Sequence, residues 1–197
     1  MLTKVQIVSL ALGLLGQKPI TSLENQSNIT TAAEQACDML LPYIISTGQW
    51  RFCTKIQQLS QLVATPVVSE WAYIYELPAD FLKLIRLYPH NYAFQIYDQN
   101  QMYSNVNDDD QGLYLEYQYK PTYGELPYYF SGFLIYKIAE YLALSNAHDV
   151  QFSQKLAQDM VVAEAKGLAA DAQNRPNFPL ISQPIITDRA VSSFVNG

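Results

Sequence analysis

The sequence predicts a mainly α-helical fold with a β-rich insertion. The expected architecture is an antiparallel bundle of about four long helices, a small antiparallel β region between the second and third, and an extended C-terminal arm. Three observations carry this. Residues 127–173 hold two long segments whose apolar positions recur at three- and four-residue steps. The stretch 1–50 holds two more, each opened by a match to the capping box. Between them, from about Phe52 to Lys120, the apolar period changes to two.

Thr3 and Gln6 form the first capping-box match, and a helix follows to about Leu15 with Ile7, Leu10, Ala11 and Leu14 on one face. Gly16 suits the C′ position, and Pro19 forbids resumption. A second helix is expected from Thr31, whose match is completed by Glu34; Ala33, Ala36, Cys37, Leu40, Leu41 and Ile44 supply its apolar side. Pro42 lies inside this pattern and predicts a kink or a break, because it removes one N–H and presses on the carbonyl four residues back. Gly48 ends the helix, and Trp50-Arg51-Phe52 leads the chain away.

In the insertion, Tyr73, Tyr75 and Leu77 alternate, as do Phe94 and Ile96, and Leu113, Leu115, Tyr117 and Tyr119. Pro66, Pro78, Pro89 and the Asn-Asp cluster at 105–110 break these runs into short strands, with a turn at Pro78–Phe81 leading into a strand over 82–88. The hairpin that follows is the clearest element. Phe130, Phe133, Leu134, Ile138, Tyr141 and Leu142 share one helical face, apart from Lys137, Glu140 and Ser145. Asp149 suits the N-cap of the last helix, whose stripe is Phe152, Leu156, Met160 and Ala163. The short Ser-Asn-Ala-His-Asp connection forces the two helices antiparallel. Phe130, Leu134, Ile138, Phe152 and Leu156 are the expected core, each worth roughly 1.5–3 kcal/mol when buried. Arg175-Pro176 stops the helix, and beyond it three prolines with scattered Ile and Phe show no period. The expected organisation is one domain over 1–174, with helices in 1–50 and 125–174 and the insertion at 52–120, and then an arm over 175–197.

Composition restricts function. The chain has 197 residues, enough for one core with a small inserted subdomain. Only 15% of residues are charged, below the usual quarter, and fifteen are tyrosines. Tyrosine suits interfaces, since its ring is large and its hydroxyl can stay wet, although any single one can equally edge a core. A net charge of −6 opposes a surface built to neutralise phosphates, while permitting one that DNA slides past. Cys37 and Cys53 have neither a CxxC spacing nor a nearby histidine, which argues against zinc; buried free thiols are the expected state, with a disulfide as the alternative. The apolar run Ile7–Leu15 is too short to span a bilayer, and Gly16–Pro19 is unlike a cleavage site. His90 and His148 stand alone, Asp108–Asp110 lacks calcium-loop spacing, and Glu125 and Glu140 read as surface charges. No catalytic residue, cofactor or metal is expected.

Four stretches, taken in order, carry a resemblance. Leu12-Gly-Leu-Leu-Gly-Gln-Lys-Pro-Ile-Thr-Ser-Leu23 is a helix ending in Leu-Gly, then a polar residue, Pro and an Ile-x-Ser-Leu step. Ala32–Phe52 is an alanine-rich helix with an internal proline ending in Trp50 and Phe52. Tyr75-Glu-Leu-Pro-Ala-Asp-Phe-Leu-Lys-Leu84 and Tyr123-Gly-Glu-Leu-Pro127 complete the set. Over residues 5–173 the chain resembles the tail tubular protein A family, the head–tail adaptors of short-tailed bacteriophages. The resemblance implies a non-enzymatic virion protein of the phage tail, assembled in the host cytoplasm. It implies a homo-oligomeric ring, a dodecamer in relatives, that joins the portal protein to a tail nozzle of the tail tubular protein B kind, with tail fibres as a further partner. DNA would pass through its lumen without specific binding, and no membrane is involved. Phe178, Ile181, Ile185, Ile186 and Phe194 are the candidate portal or neighbour contacts. Tyr92, Tyr97 and Tyr103 are candidates for the nozzle, a neighbour or a fibre. The alternatives are a tail-associated peptidoglycan-degrading enzyme and a bacterial binding module with no virion role.

Overall fold

The computed structural model describes residues 1–24, 27–88, 92–97, 100–107, 112–146 and 150–173. Helix α1 (Lys4–Leu14) opens on the full capping box: Thr3 accepts from the Gln6 N–H, and the Gln6 side chain accepts from the Thr3 N–H. It closes with the two bonds of a Schellman motif, Gly16 N–H to the Gly13 carbonyl and Gln17 N–H to the Leu12 carbonyl, both 3.0 Å. Gly16 supplies the left-handed residue this needs, at φ 72°. Helix α2 (Asn28–Thr47) starts earlier than its sequence signal suggests. Ser27 is the N-cap, and Thr31 lies within the first turn with its hydroxyl turned back to the Ser27 carbonyl. Thr30 is buried and Ile29 packs on the core, so tertiary burial sets the start. Pro42 does not break α2. The buried Leu40, Leu41, Ile44 and Ile45 on either side offset the roughly 3 kcal/mol cost of an interior proline.

Seven strands follow: β1 (Thr54–Gln58), β2 (Ser60–Leu62), β3 (Tyr73–Glu76), β4 (Phe81–Tyr88), β5 (Phe94–Tyr97), β6 (Gln101–Ser104) and β7 (Tyr114–Tyr119). They form two antiparallel sheets, ordered β1-β7-β4 and β2-β3-β6-β5. The expected turn at Pro78–Phe81 is present, closed by the Phe81 N–H on the Pro78 carbonyl at 3.0 Å. One residue, the buried Leu59, separates β1 from β2 and carries the chain from one sheet to the other. A 3₁₀ turn (Tyr123–Glu125) then leads into α3 (Tyr128–Asn146) and α4 (Val150–Ala172).

This is a mixed α/β fold, and it corrects the expectation of a mainly helical bundle with a minor insertion. The two sheets share a core of their own: Leu59, Tyr75, Leu77, Leu87, Met102, Leu113, Leu115 and Tyr117. The helical core is built mainly by α1, α2 and α3, with Trp50 and Leu126. Helix α4 packs alongside α3 instead of closing a four-sided bundle, which changes which side chains are covered. Phe130, Leu134, Ile138 and Leu156 are buried as expected, but Phe152 and Tyr141 are not, at 38% and 42% exposure. In α1 the buried face is Ile7, Val8, Ala11 and Leu12, with Leu10 turned outward. Asp149 and the arm 175–197 lie outside the described residues.

Leu134→Ala is expected to lower the unfolding free energy by about 2–5 kcal/mol, seen as a lower urea midpoint at unchanged slope, whereas Phe152→Ala should cost less than half as much. Leu134→Asp, which places a charge in the helical core, should abolish the helical circular-dichroism signal.

Candidate functional site

The two lobes meet at the corner Gly48–Cys53. Gly48 ends α2 by donating to the Ile44 carbonyl at 2.9 Å. A Cβ at Gly48 would run into the Trp50 indole, so the close approach itself selects glycine. Trp50 is almost fully buried, stacked on Phe133 (5.7 Å between centroids, 26°) and edge-on to Phe130 (4.8 Å, 89°). The next two residues are fixed by Asp171 near the end of α4, which is 1% exposed. One carboxylate oxygen accepts from the Arg51 N–H; the other accepts from the Phe52 N–H (3.1 Å) and the Tyr129 hydroxyl (2.8 Å). The Arg51 guanidinium donates in turn to the Ala172 carbonyl at 2.8 Å. From the β side, Gln118 donates its Nε2 to the Trp50 carbonyl at 2.9 Å. The other end of that amide, Oε1, is buried without a donor among the described residues.

Beside this corner runs a groove of about 630 Å³ between the end of α2 and the outer face of the β1-β7-β4 sheet. Phe52, Ile56, Leu84 and Ile85 form its apolar walls, with Arg51, Lys83 and Glu116 as the charged members. Strand pairing explains the grouping. Thr54 and Ile56 face Gln118 and Glu116 in register, so these four share one side of the sheet, while Leu115 and Tyr117 point into the β core. Ile56 is 61% exposed and Ile85 44%, so the sheet presents uncovered apolar side chains here. Glu116 accepts from the Tyr88 hydroxyl at 2.7 Å, and Lys83 reaches the Gly48 carbonyl at 3.4 Å.

Two charged networks tie elements together away from the groove. Lys4 bridges Glu34 (2.7 Å) and Asp38 (2.8 Å), and Asp38 also accepts from the Tyr123 hydroxyl at 2.6 Å, linking α1, α2 and the 3₁₀ turn. Burial alone would raise the Asp38 carboxyl; the hydrogen bonds from Lys4 and Tyr123 outweigh it and hold the group below its ordinary range. On β1, Lys55 pairs with Asp80 at 2.7 Å and lies 3.7 Å from the Tyr119 ring centroid. Asp80 also accepts from the Tyr117 hydroxyl at 2.8 Å, and again the bonds overcome burial to lower the carboxyl. Cys37 and Cys53 are both buried free thiols. Burial pushes them up to about 11 and about 12 respectively, so neither is a thiolate nucleophile at neutral pH.

The sequence-derived candidates divide sharply. Phe178, Ile181, Ile185, Ile186 and Phe194 lie outside the described residues, as do His90, His148 and Asp108–Asp110. Tyr92 is half-buried against the β core. Tyr97 and Tyr103 meet edge-to-face, 4.7 Å between centroids, and Tyr103 is only 6% exposed. They stabilise the four-stranded sheet, and Tyr97 keeps more surface than Tyr103. The outward apolar surface lies elsewhere. Leu144, Val161, Val162 and Leu168 are exposed on α3 and α4, and Val63 and Val67 are fully exposed in the β2–β3 loop. The base of that loop is pinned by the Asn105 amide, which bonds the Ala72 N–H (2.8 Å) and the Glu70 carbonyl (3.0 Å). Among the described residues, no helix is long and apolar enough to cross a membrane. Neither protein-family models nor curated proteins give a match to the chain.

Asp171→Ala leaves the Arg51 and Phe52 backbone N–H groups without their acceptor, at roughly 1–3 kcal/mol for each group that stays buried; urea unfolding should show the largest loss of any single polar substitution at the corner. For Asp38 and Asp80 the folded carboxyl lies below its ordinary value of 3.8, so their stabilisation is present above that pH and lost as pH falls through the lower folded value. An Asp38→Asn/Asp80→Asn variant should therefore be less stable than the parent at pH 7 and converge with it below about pH 3.8 in thermal scans across pH.

Proposed function

We propose that this chain is a structural subunit of a bacteriophage head–tail connector, an adaptor of the tail tubular protein A kind. Its copies form a ring between portal and tail nozzle, and that ring surrounds the DNA ejection channel. The observation that carries this reading is the spread of uncovered apolar side chains over three regions. These are the outer sides of α3 (Leu144) and α4 (Val161, Val162 and Leu168), the outer sheet face with Ile56 and Ile85, and the β2–β3 loop with Val63 and Val67. Large exposed apolar residues grouped on a surface mark contact sites. A ring needs two different faces on each subunit, since head-to-tail contacts close only when unlike patches meet, and the ends of the ring need further contacts.

The resemblance in sequence supports the same reading through its position in the fold. Leu12–Leu23 contains the Schellman end of α1, Tyr75–Leu84 the turn from β3 to β4, and Tyr123–Pro127 the turn that opens α3. Trp50 and Phe52 form the corner between the lobes. The stretches that carry the likeness are therefore the joints of the subunit, where a shared architecture constrains sequence most. A net charge of −6 suits a channel that DNA must traverse without adhering.

Negative-stain microscopy of the protein mixed with the portal rings of its phage tests the proposal. Added density of matching symmetry beneath the portal is the expected result; bare portals in the presence of folded protein would remove the adaptor role. Deleting residues 178–197 should leave a folded monomer with the parent's helical signal that decorates portals poorly, measured as the fraction of portals carrying added density.

A further inference from the structure

The groove beside the Gly48–Cys53 corner is open among the described residues and adjoins the end of α4. Its floor is the outer face of a three-stranded sheet, and Ile56 and Ile85 project there uncovered. Beneath them the amide of Gln118 uses only one of its ends, and native interiors satisfy such buried acceptors. The groove volume of about 630 Å³ falls in the range of sites that seat a ligand. Arg51 and Phe52 belong to its wall, and Arg51 is tied by its guanidinium to the carbonyl of Ala172, the last residue of α4. The chain therefore leaves α4 at the mouth of the groove.

We propose that in the free subunit this groove is occupied by the chain's own segment 176–186, Pro-Asn-Phe-Pro-Leu-Ile-Ser-Gln-Pro-Ile-Ile. Reach permits it. Phe178 lies five positions beyond Gln173, about 17 Å when extended, and three strands span only about 10 Å. Chemistry selects it. The segment has no charged residue, and its Phe, Leu and Ile side chains match walls of Phe52, Ile56, Leu84 and Ile85. The charged members of the lining, Arg51, Lys83 and Glu116, are each already engaged, by the Ala172 carbonyl, the Gly48 carbonyl and the Tyr88 hydroxyl. Prolines at 176, 179 and 184 disfavour helix and favour extended backbone, the form that suits a sheet face. Attachment beside the groove favours the chain's own segment over another copy's, because so short a tether sets an effective concentration near millimolar. The inference does not depend on the adaptor reading and concerns the isolated protein.

The test uses full-length protein at micromolar concentration. Thermolysin cutting at the Leu180–Ile181 and Ile185–Ile186 bonds, located by mass spectrometry, should be at least about fivefold faster in the Ile56→Asp/Ile85→Asp variant than in the parent, because cleavage follows the population of the open segment. Both isoleucines are exposed, and the thermal midpoint of the variant checks that the body remains folded. Equal cutting rates in parent and folded variant would overturn the proposal. In a second arm, Ile56→Cys is combined in turn with Phe178→Cys, Ile181→Cys and Ile185→Cys under mild oxidation. At least one pair should form a disulfide within a single chain, seen as a monomer of altered mobility. Disulfide-linked dimers, or no disulfide in any of the three pairs, would refute occupation by the chain's own segment.

Discussion

A single buried carboxylate holds the two lobes of this chain in register. Asp171 accepts three hydrogen bonds, two from the backbone at Arg51 and Phe52 and one from Tyr129. A carboxylate removed from water is costly unless donors replace its hydration, and here they do so. The position of those donors matters as much as their number. Two belong to the corner where the chain passes from helix to sheet, and the third belongs to the start of α3. The end of α4, the start of α3 and the exit from α2 thus converge on one group. Trp50 can fill the helical core because the two residues after it are fixed, and Gln118 can hold the Trp50 carbonyl because the corner presents it to β7.

How much of this was legible in the sequence depends on the range of the forces involved. The ends of α1 were readable because capping is local: Thr3 with Gln6 at one end, Gly16 at the other. The face of α1 was not, because Ile7, Val8, Leu10, Ala11, Leu12 and Leu14 surround most of the helix and only its neighbours choose between them. The early start of α2 and its continuation past Pro42 share one reason: burial of Thr30, Leu40, Leu41, Ile44 and Ile45 overrides local preference. Alternation located most of the β segments, but not the division into two sheets, because pairing partners such as Thr54 and Gln118 are remote in sequence. Asp171 carried no signal at all. Its partners lie 42, 119 and 120 residues away along the chain, and nothing local separates it from any other acidic residue near a helix end.

The same distinction applies to the candidate contacts. An excess of tyrosine pointed toward interfaces, yet Tyr103 is taken up within its own sheet and Tyr117 within the β core. Composition reports how much amphipathic surface a chain possesses, not which part of it remains uncovered after folding. Tyr43, Tyr128 and Tyr141 stay exposed, and so do valine and leucine on α4 and valine in the β2–β3 loop, which are unremarkable in the sequence. Their exposure follows from topology: α4 has α3 as its main helical neighbour, and the β2–β3 loop extends past the end of its sheet.

The passage at Leu59 determines where this chain can vary in length. With one buried residue between β1 and β2, and its N–H bound to the Leu113 carbonyl at 2.8 Å, there is no slack between the sheets. An inserted residue would have to enter one strand or the other, and a shift of one position turns every inward side chain of that strand outward. The region between Leu62 and Tyr73 is under no such restriction, since Glu70 and Ala72 are pinned near its end while Val63 and Val67 before them are uncovered. Lineages descended from this fold should therefore keep the first crossing at constant length and record their insertions and deletions in the loop that follows.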